Sequence, residues 1–140
     1  MKTCLLQSLA LVLGGLTLAV LVFALLFTGV LALIPATVPG VIFFILTALL
    51  SGGGLILLVY GLLRAERSPA LADAWLCCGQ TAAIGALGAL FTSLITLLTV
   101  SVEVGLFIGT ALVCFFLFLF LGGLICLARR YATARFHCGC

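Results

Sequence analysis

Residues 5–34 read LLQSLALVLGGLTLAVLVFALLFTGVLALI, an apolar run that contains no charged residue. A helix of about 20 residues is long enough to cross the roughly 30 Å of hydrocarbon in a bilayer. The apolar core of a signal peptide, in contrast, is only about 7 to 15 residues long. The run therefore predicts a retained transmembrane helix, which we place at about 9–34.

Three more apolar runs follow, separated by short connections. The segment 35–40, PATVPG, contains two prolines that disfavour a continued helix and predicts a reversal of the chain. The charged segment 64–69, RAERSP, and a small turn near 101–105 separate the remaining runs. We predict the further spans at about 41–63, 76–98 and 106–128, and a short tail at 129–140.

These runs predict an all-α fold, a polytopic membrane four-helix bundle made of two antiparallel transmembrane hairpins in a single domain. The composition agrees, because 66% of the residues are hydrophobic and only 6% are charged, whereas soluble domains carry about 25% charged residues. A water-soluble domain is therefore excluded. The loops between the runs are also too short to form a receptor domain.

The basic residues all lie on one side of the predicted bundle. They precede the first run, connect the second to the third, or follow the fourth, at Lys2, Arg64, Arg67, Arg129, Arg130 and Arg135. Lys and Arg prefer cytoplasmic loops, so we expect both termini to be cytoplasmic in the cell inner (cytoplasmic) membrane. No basic stripe with interleaved aromatic residues is present, and we predict a lipid bilayer environment and no nucleic-acid partner.

The two halves of the chain resemble each other at a constant offset of 73 residues. The matching positions are Cys4, Gln7, Ser8, Ala10 and Gly15 in the first half and Cys77, Gln80, Thr81, Ala83 and Gly88 in the second. A weaker match, with a different offset, joins residues 53–56 to residues 122–125. Either the halves are a parallel internal duplication, or two Leu, Ala and Gly-rich helices are similar by chance.

The third span carries small and hydroxyl side chains along one face, at Thr81, Gly85, Gly88, Thr92, Thr96 and Thr99. Such a face lets helix backbones approach closely in lipid, or it lines a path for a small solute or ion. We favour close packing. The predicted packing residues are Gly85, Gly88, Thr92, Thr96, Gly105 and Gly109. In the fourth span, Phe115, Phe116, Phe118 and Phe120 nearly encircle the helix, where they would meet both lipid and neighbouring helices.

The spans contain few groups suited to ion transport or catalysis. Ion-coupled transporters place ionisable side chains inside the membrane, and Glu103 falls at the external turn instead. Gln7 and Gln80 are the two amide side chains, each just inside the cytoplasmic boundary. We expect them to bind neighbouring helix backbones, with a lipid headgroup as the alternative. Catalytic triads, two-carboxylate sites and phosphate-binding loops are missing from the sequence, and we predict no enzyme activity.

The chain has seven cysteines, six of which fall toward the predicted cytoplasmic side. The cytoplasm is reducing, so we expect no disulfides there and instead metal binding, redox sensing or lipid attachment. The tail residues His137, Cys138 and Cys140 could join Cys77 and Cys78 in binding Cu(I) or Zn(II), because soft thiolates and imidazole suit these ions. The competing interpretation is that these cysteines are small apolar residues in packed helices.

The paired membrane cysteines and the cysteine-bearing tail resemble bacterial mercuric-ion uptake proteins with four spans. Those proteins place the Cys-Cys pair in the first span, whereas Cys77 and Cys78 open the third span here. The resemblance implies a carrier for soft metal ions. Our main hypothesis is a structural, regulatory or holin-like membrane protein that acts through helix packing and through a membrane-protein partner or a homo-oligomer. The alternative is a small carrier or channel that transports soft metal ions.

Overall fold

The protein is described by a computed structural model, which covers residues 2–29, 38–65, 72–73, 75–99 and 103–137. Its long elements are α1 (Lys2–Phe27), α2 (Val38–Ala65), α3 (Gln80–Leu98) and α4 (Glu103–His137), with a π-helical turn at Trp75–Gly79 that leads into α3. The predicted all-helical class is confirmed.

The structure has four segments long and apolar enough to cross a bilayer, one each in α1, α2 and α4 and one formed by the π-helical turn together with α3. The segments are Leu6–Phe27, Gly40–Arg64, Trp75–Leu98 and Val104–Thr133. Charged residues lie near the ends of these segments rather than in their middles. The four helices are thus consistent with a small multi-pass membrane protein.

The first helix ends at Phe27, earlier than the boundary near Ile34 that the sequence indicated. Gly29 adopts a φ of 81°, a left-handed conformation that glycine tolerates without steric cost. The Thr28 amide donates a hydrogen bond to the Ala24 carbonyl at 2.9 Å, and the Gly29 amide donates to Leu26 at 3.2 Å. This glycine cap terminates α1, and residues 30–37 lie outside the described part of the chain.

The last helix extends beyond the predicted membrane boundary at Ala128 and reaches His137. The side chains of Arg129 and Arg130 are exposed on it. The hydroxyl of Thr133 donates to the Arg129 carbonyl at 2.9 Å, a bond to the preceding turn of the same helix. The basic residues after the fourth span therefore lie on a helical extension.

Helices α3 and α4 form the centre of the bundle. Helix α1 packs against α4, and α2 packs against α3 with a small additional contact to α4. Within the described residues, α1 and α2 make almost no contact with each other. The second pair of helices therefore separates the first pair, and α1 and α2 lie on opposite flanks of the central pair.

Two clusters of buried side chains hold the helices together. One contains Phe120 with Leu58, Ala82 and Ala86, and so joins α2, α3 and α4. The other contains Phe44, Leu106 and Val113, and joins α2 to α4 nearer the α3–α4 connection. Since lipid tails are as apolar as these residues, close van der Waals packing rather than hydrophobic exclusion stabilises such contacts in a bilayer.

Candidate functional site

The backbones of α3 and α4 lie in direct contact where glycine replaces a side chain. A Cβ atom placed on Gly85 would lie 2.8 Å from the Cα of Phe120 and 2.9 Å from the carbonyl carbon of Leu119. One placed on Gly123 would lie 2.6 Å from the amide nitrogen of Ala82. The obstructing atoms are mainly backbone and cannot move aside, so these two positions accept only glycine at this helix spacing.

Phenylalanine rings of α4 fill the space that glycines leave on each of the other three helices. An aromatic ring buries a large area and makes many weak dispersion contacts when it lies against a flat glycine surface. The pairs are Phe118 with Gly14, Phe115 with Gly15, Phe116 with Gly88, and Phe120 with Gly54. The four rings that the sequence spreads around α4 therefore contact α1, α2 and α3.

The remaining predicted packing residues divide between the interior and its edge. Thr96 is 1% exposed and lies against Gly109 of α4. Its hydroxyl donates to the Thr92 carbonyl at 2.7 Å. Thr92 and Gly105 are only partly buried. The structure thus places Gly85, Gly88, Thr96 and Gly109 at the contact between α3 and α4.

Hydroxyl groups inside the bundle mostly bond to their own helices. The Thr47 hydroxyl donates to the Phe43 carbonyl at 2.8 Å, and the Ser51 hydroxyl donates to the Thr47 carbonyl at 2.8 Å. Among the described residues, the buried hydroxyl of Ser93 has no hydrogen-bond partner. Back-bonding to the preceding turn satisfies a hydroxyl without help from a neighbouring helix, which suits these side chains to a packed, dry interior.

A disulfide joins Cys78 to Cys126, so the expectation of reduced thiols at this end of the bundle is wrong. The Cα atoms are 5.7 Å apart, within the range that a disulfide spans. Cys78 is 2% exposed and Cys126 is 6% exposed. Burial separates both sulfurs from soluble reductants, so the redox state of the surrounding compartment does not alone decide whether the bond forms. Cys77 is disulfide-bonded as well, and Cys114 is free.

The predicted metal ligands are only partly described. Cys77 and Cys78 lie in the π-helical turn, whereas the side chain of His137 and the whole of Cys138 and Cys140 fall outside the described residues. Within the described residues, no three His, Cys, Asp or Glu side chains are grouped closely enough to hold a metal ion. Cys126 is not among the predicted metal ligands, although the sequence places it on the same side of the membrane as Cys78.

A groove of about 300 Å³ lies between α2 and the start of α3. Leu55, Leu58, Val59 and Leu62 form its α2 wall, and Trp75 and Gln80 lie on the opposite wall. The indole of Trp75 fits between two glycines, because a Cβ on Gly61 would lie 2.7 Å from its Cη2 atom and one on Gly79 would lie 2.6 Å from Cε3. The π-helical turn thus holds a tryptophan at the mouth of an apolar groove.

Comparison with known proteins finds no matching family model, no matching curated protein and no matching solved structure.

Proposed function

We propose that the chain is a four-span protein of the cell inner (cytoplasmic) membrane with a structural, regulatory or holin-like role, which it performs by helix packing and self-association as a homo-oligomer. The supporting observation is the central α3–α4 contact, where the side-chain position of Gly85 is occupied by the Phe120 backbone. Such a contact suits a rigid scaffold whose outer helices present surfaces to lipid and to other copies.

The proposed topology is four spans of alternating direction with both termini in the cytoplasm, in which α3 and α4 pack as an antiparallel hairpin and α1 and α2 lie on opposite flanks of it. Pairs of contacting residues support antiparallel neighbours, because the residue numbers increase along one helix where they decrease along the other. On α3 and α4 the pairs are 82 with 123, 85 with 120 and 96 with 109. On α1 and α4 they are 11 with 122 and 15 with 115. The positions of the basic residues supply the orientation.

Self-association uses the faces of α1 and α2 that the bundle leaves uncovered. In the apolar segment of α1 only 11% of the residues are buried, the lowest fraction among the four spans. Val20 of α1 is 63% exposed and Leu57 of α2 is 72% exposed. These flanking helices lie apart, so each offers an apolar surface to lipid or to a second copy.

Energy transfer between donor-labelled and acceptor-labelled copies in vesicles tests self-association. Homo-oligomers give transfer that persists as lipid is added at constant protein, because the copies remain in contact. Transfer that falls steadily to the value for randomly distributed monomers contradicts self-association. Labelling at the amino terminus leaves the exposed helix surfaces unmodified.

A second candidate function, soft-metal transport, is favoured by the position of Cys126. It lies beside Cys78, with the two Cα atoms 5.7 Å apart, so reduction would leave two thiols next to each other. Metal binding requires the thiolate forms, so the disulfide must first be reduced. This function predicts that the protein binds stoichiometric Cu(I) or Zn(II) after anaerobic reduction and that the Cys78→Ser variant does not. Protein that remains metal-free under the same conditions contradicts it.

A further inference from the structure

We propose that the groove between α2 and α3 is a binding site for an anionic phospholipid, with one acyl chain in the groove and the headgroup at the basic end of the bundle. This inference is independent of self-association and requires only that the helices lie in a bilayer. It joins three observations: the shape of the groove, the position of Gln80, and the charge at this end.

The groove has the dimensions and lining of a site for the upper part of a hydrocarbon chain, the rest of which would extend along the outside of the bundle. Its α2 wall runs from Leu55 to Leu62, two helical turns or about 10 Å along the axis. The volume of about 300 Å³ is at the lower end of the range for small-molecule sites. Leu76, which also lines it, is 71% exposed. The groove therefore opens to the outside of the bundle, where acyl chains are the surrounding solvent.

Gln80 provides a polar contact at the depth where a phospholipid carries its ester groups. It follows the π-helical turn that begins at Trp75, so it lies one turn deeper in the membrane. Trp side chains prefer the membrane–water interface, so Gln80 lies just below the headgroups. Its side chain is exposed beside the groove and makes no hydrogen bond to another described residue, contrary to the expected bond to a neighbouring helix.

An amide group that faces hydrocarbon without a partner is unfavourable. A phospholipid whose chain occupies the groove brings an ester carbonyl oxygen to this depth, and the Gln80 NH₂ group can donate a hydrogen bond to it. The chain and the amide therefore select a lipid with an ester-linked acyl chain rather than a simple hydrocarbon.

The charge at this end favours an anionic headgroup. Arg64 lies in the last turn of α2, close in sequence to Gly61, which faces Trp75. Arg129 and Arg130 lie one turn beyond Cys126, which is bonded to Cys78. Asp73 is the one acidic residue described at this end of the bundle, so the described side chains leave a net positive charge there. Each basic residue near an anionic membrane surface contributes attraction.

The single tryptophan of the chain, Trp75, lines the groove and reports directly on its occupant. Brominated acyl chains quench tryptophan fluorescence on contact. In phosphatidylcholine vesicles that contain equal mole fractions of brominated lipid, we expect brominated phosphatidylglycerol to quench Trp75 with an apparent affinity about fivefold above that of brominated phosphatidylcholine. Fivefold is about the effect of one basic residue near an anionic headgroup.

Two matched pairs of variants test whether the lipid binds in the groove. Val59→Phe fills the groove, whereas Val20→Phe makes the same change on the exposed face of α1. Gln80→Leu removes the polar contact, whereas Gln7→Leu removes the corresponding amide of α1, which lies outside the groove. We expect Val59→Phe to reduce the anionic preference at least about threefold, because neither lipid then occupies the groove beside the basic residues. We expect Gln80→Leu to lower the apparent affinity of both brominated lipids about threefold, the loss of about one weak contact. Val20→Phe and Gln7→Leu are expected to leave both quantities unchanged.

Equal quenching by the two brominated lipids overturns the proposal, because it shows only the ordinary lipid shell around the protein. A preference that survives Val59→Phe, or an affinity for both lipids that Gln80→Leu leaves unchanged, also overturns it, because the lipid then binds elsewhere. Folding is checked in unbrominated vesicles, where a folded variant has the Trp75 emission maximum and the helical circular dichroism of the parent. If one variant does not fold, the other pair of variants tests the proposal.

Discussion

Single glycines determine how closely the helices of this bundle approach. At Gly85 the space for a side chain is already occupied by the backbone of Phe120, whereas at Gly53 nothing lies within 4 Å of the position that a Cβ atom would take. The same residue type thus has opposite roles on two helices. At Gly85 it permits contact between backbones, and at Gly53 it only lowers the helix propensity of α2.

Replacing these two glycines with alanine distinguishes the roles. Gly85→Ala is expected to lower the free energy of unfolding by about 1 to 3 kcal/mol, because overpacking forces α3 and α4 apart. The control, Gly53→Ala, is expected to raise it by up to about 1 kcal/mol through helix propensity. Thermal or detergent-induced unfolding monitored by circular dichroism measures both. Equal stability of the two variants would show that the α3–α4 contact is looser than described.

At the scale of helices, the sequence predicted the number and type of the elements because long apolar runs have one stable form in lipid, the hydrogen-bonded helix. The predicted span boundaries differ from the ends of the described helices for local reasons. Hydropathy contains no information about the left-handed conformation of Gly29, which follows the end of α1. Helix α4 continues past Ala128 because Arg129 and Arg130 are good helix formers.

The Cys78–Cys126 pairing could have been predicted from the sequence by aligning two antiparallel helices about the turn that connects them. The contacting residues of α3 and α4 have numbers that add to 205, as for 85 with 120, and 78 with 126 add to 204. A turn near 101–105 implies almost the same register. The groove, in contrast, depends on the spacing of α2 from α3 and on the orientation of Trp75, which no periodic pattern in the sequence specifies.

The disulfide is expected to stabilise the packed pair of helices. Closing the loop between Cys78 and Cys126 restricts the unfolded chain, an effect of about 2 to 4 kcal/mol for a loop of this size. The double variant Cys78→Ser and Cys126→Ser should therefore unfold more easily than the parent, whereas Cys114→Ser, at a free thiol of the same helix, should cause a smaller change.

Alkylation of the denatured parent without reductant, followed by peptide mass spectrometry, checks the bond itself. Cys114 should carry the alkyl group, and Cys78 and Cys126 should remain linked to each other. Alkylated Cys78 and Cys126 in this sample would show that the two thiols are neighbours but not bonded, and the stability difference would then require a packing explanation.

In the proposed arrangement of the whole molecule, four helices cross a bilayer, with the basic end of the bundle in the cytoplasm. The α3–α4 contact, the flanking positions of α1 and α2, and the lipid groove all take their meaning from hydrocarbon as the surrounding solvent. The two ends of α4 offer the most direct access to this arrangement. Val104 is 64% exposed near its start, and Thr133 is exposed near its end.

Labelling of Val104→Cys and Thr133→Cys with a thiol reagent that cannot cross the bilayer, followed by peptide mass spectrometry, tests the arrangement most directly. The account predicts that intact cells label the cysteine at position 104 and that the cysteine at position 133 reacts only after the membrane is permeabilised. Labelling at 133 alone in intact cells would reverse the orientation, and rapid labelling at both positions would contradict a helix that spans the membrane.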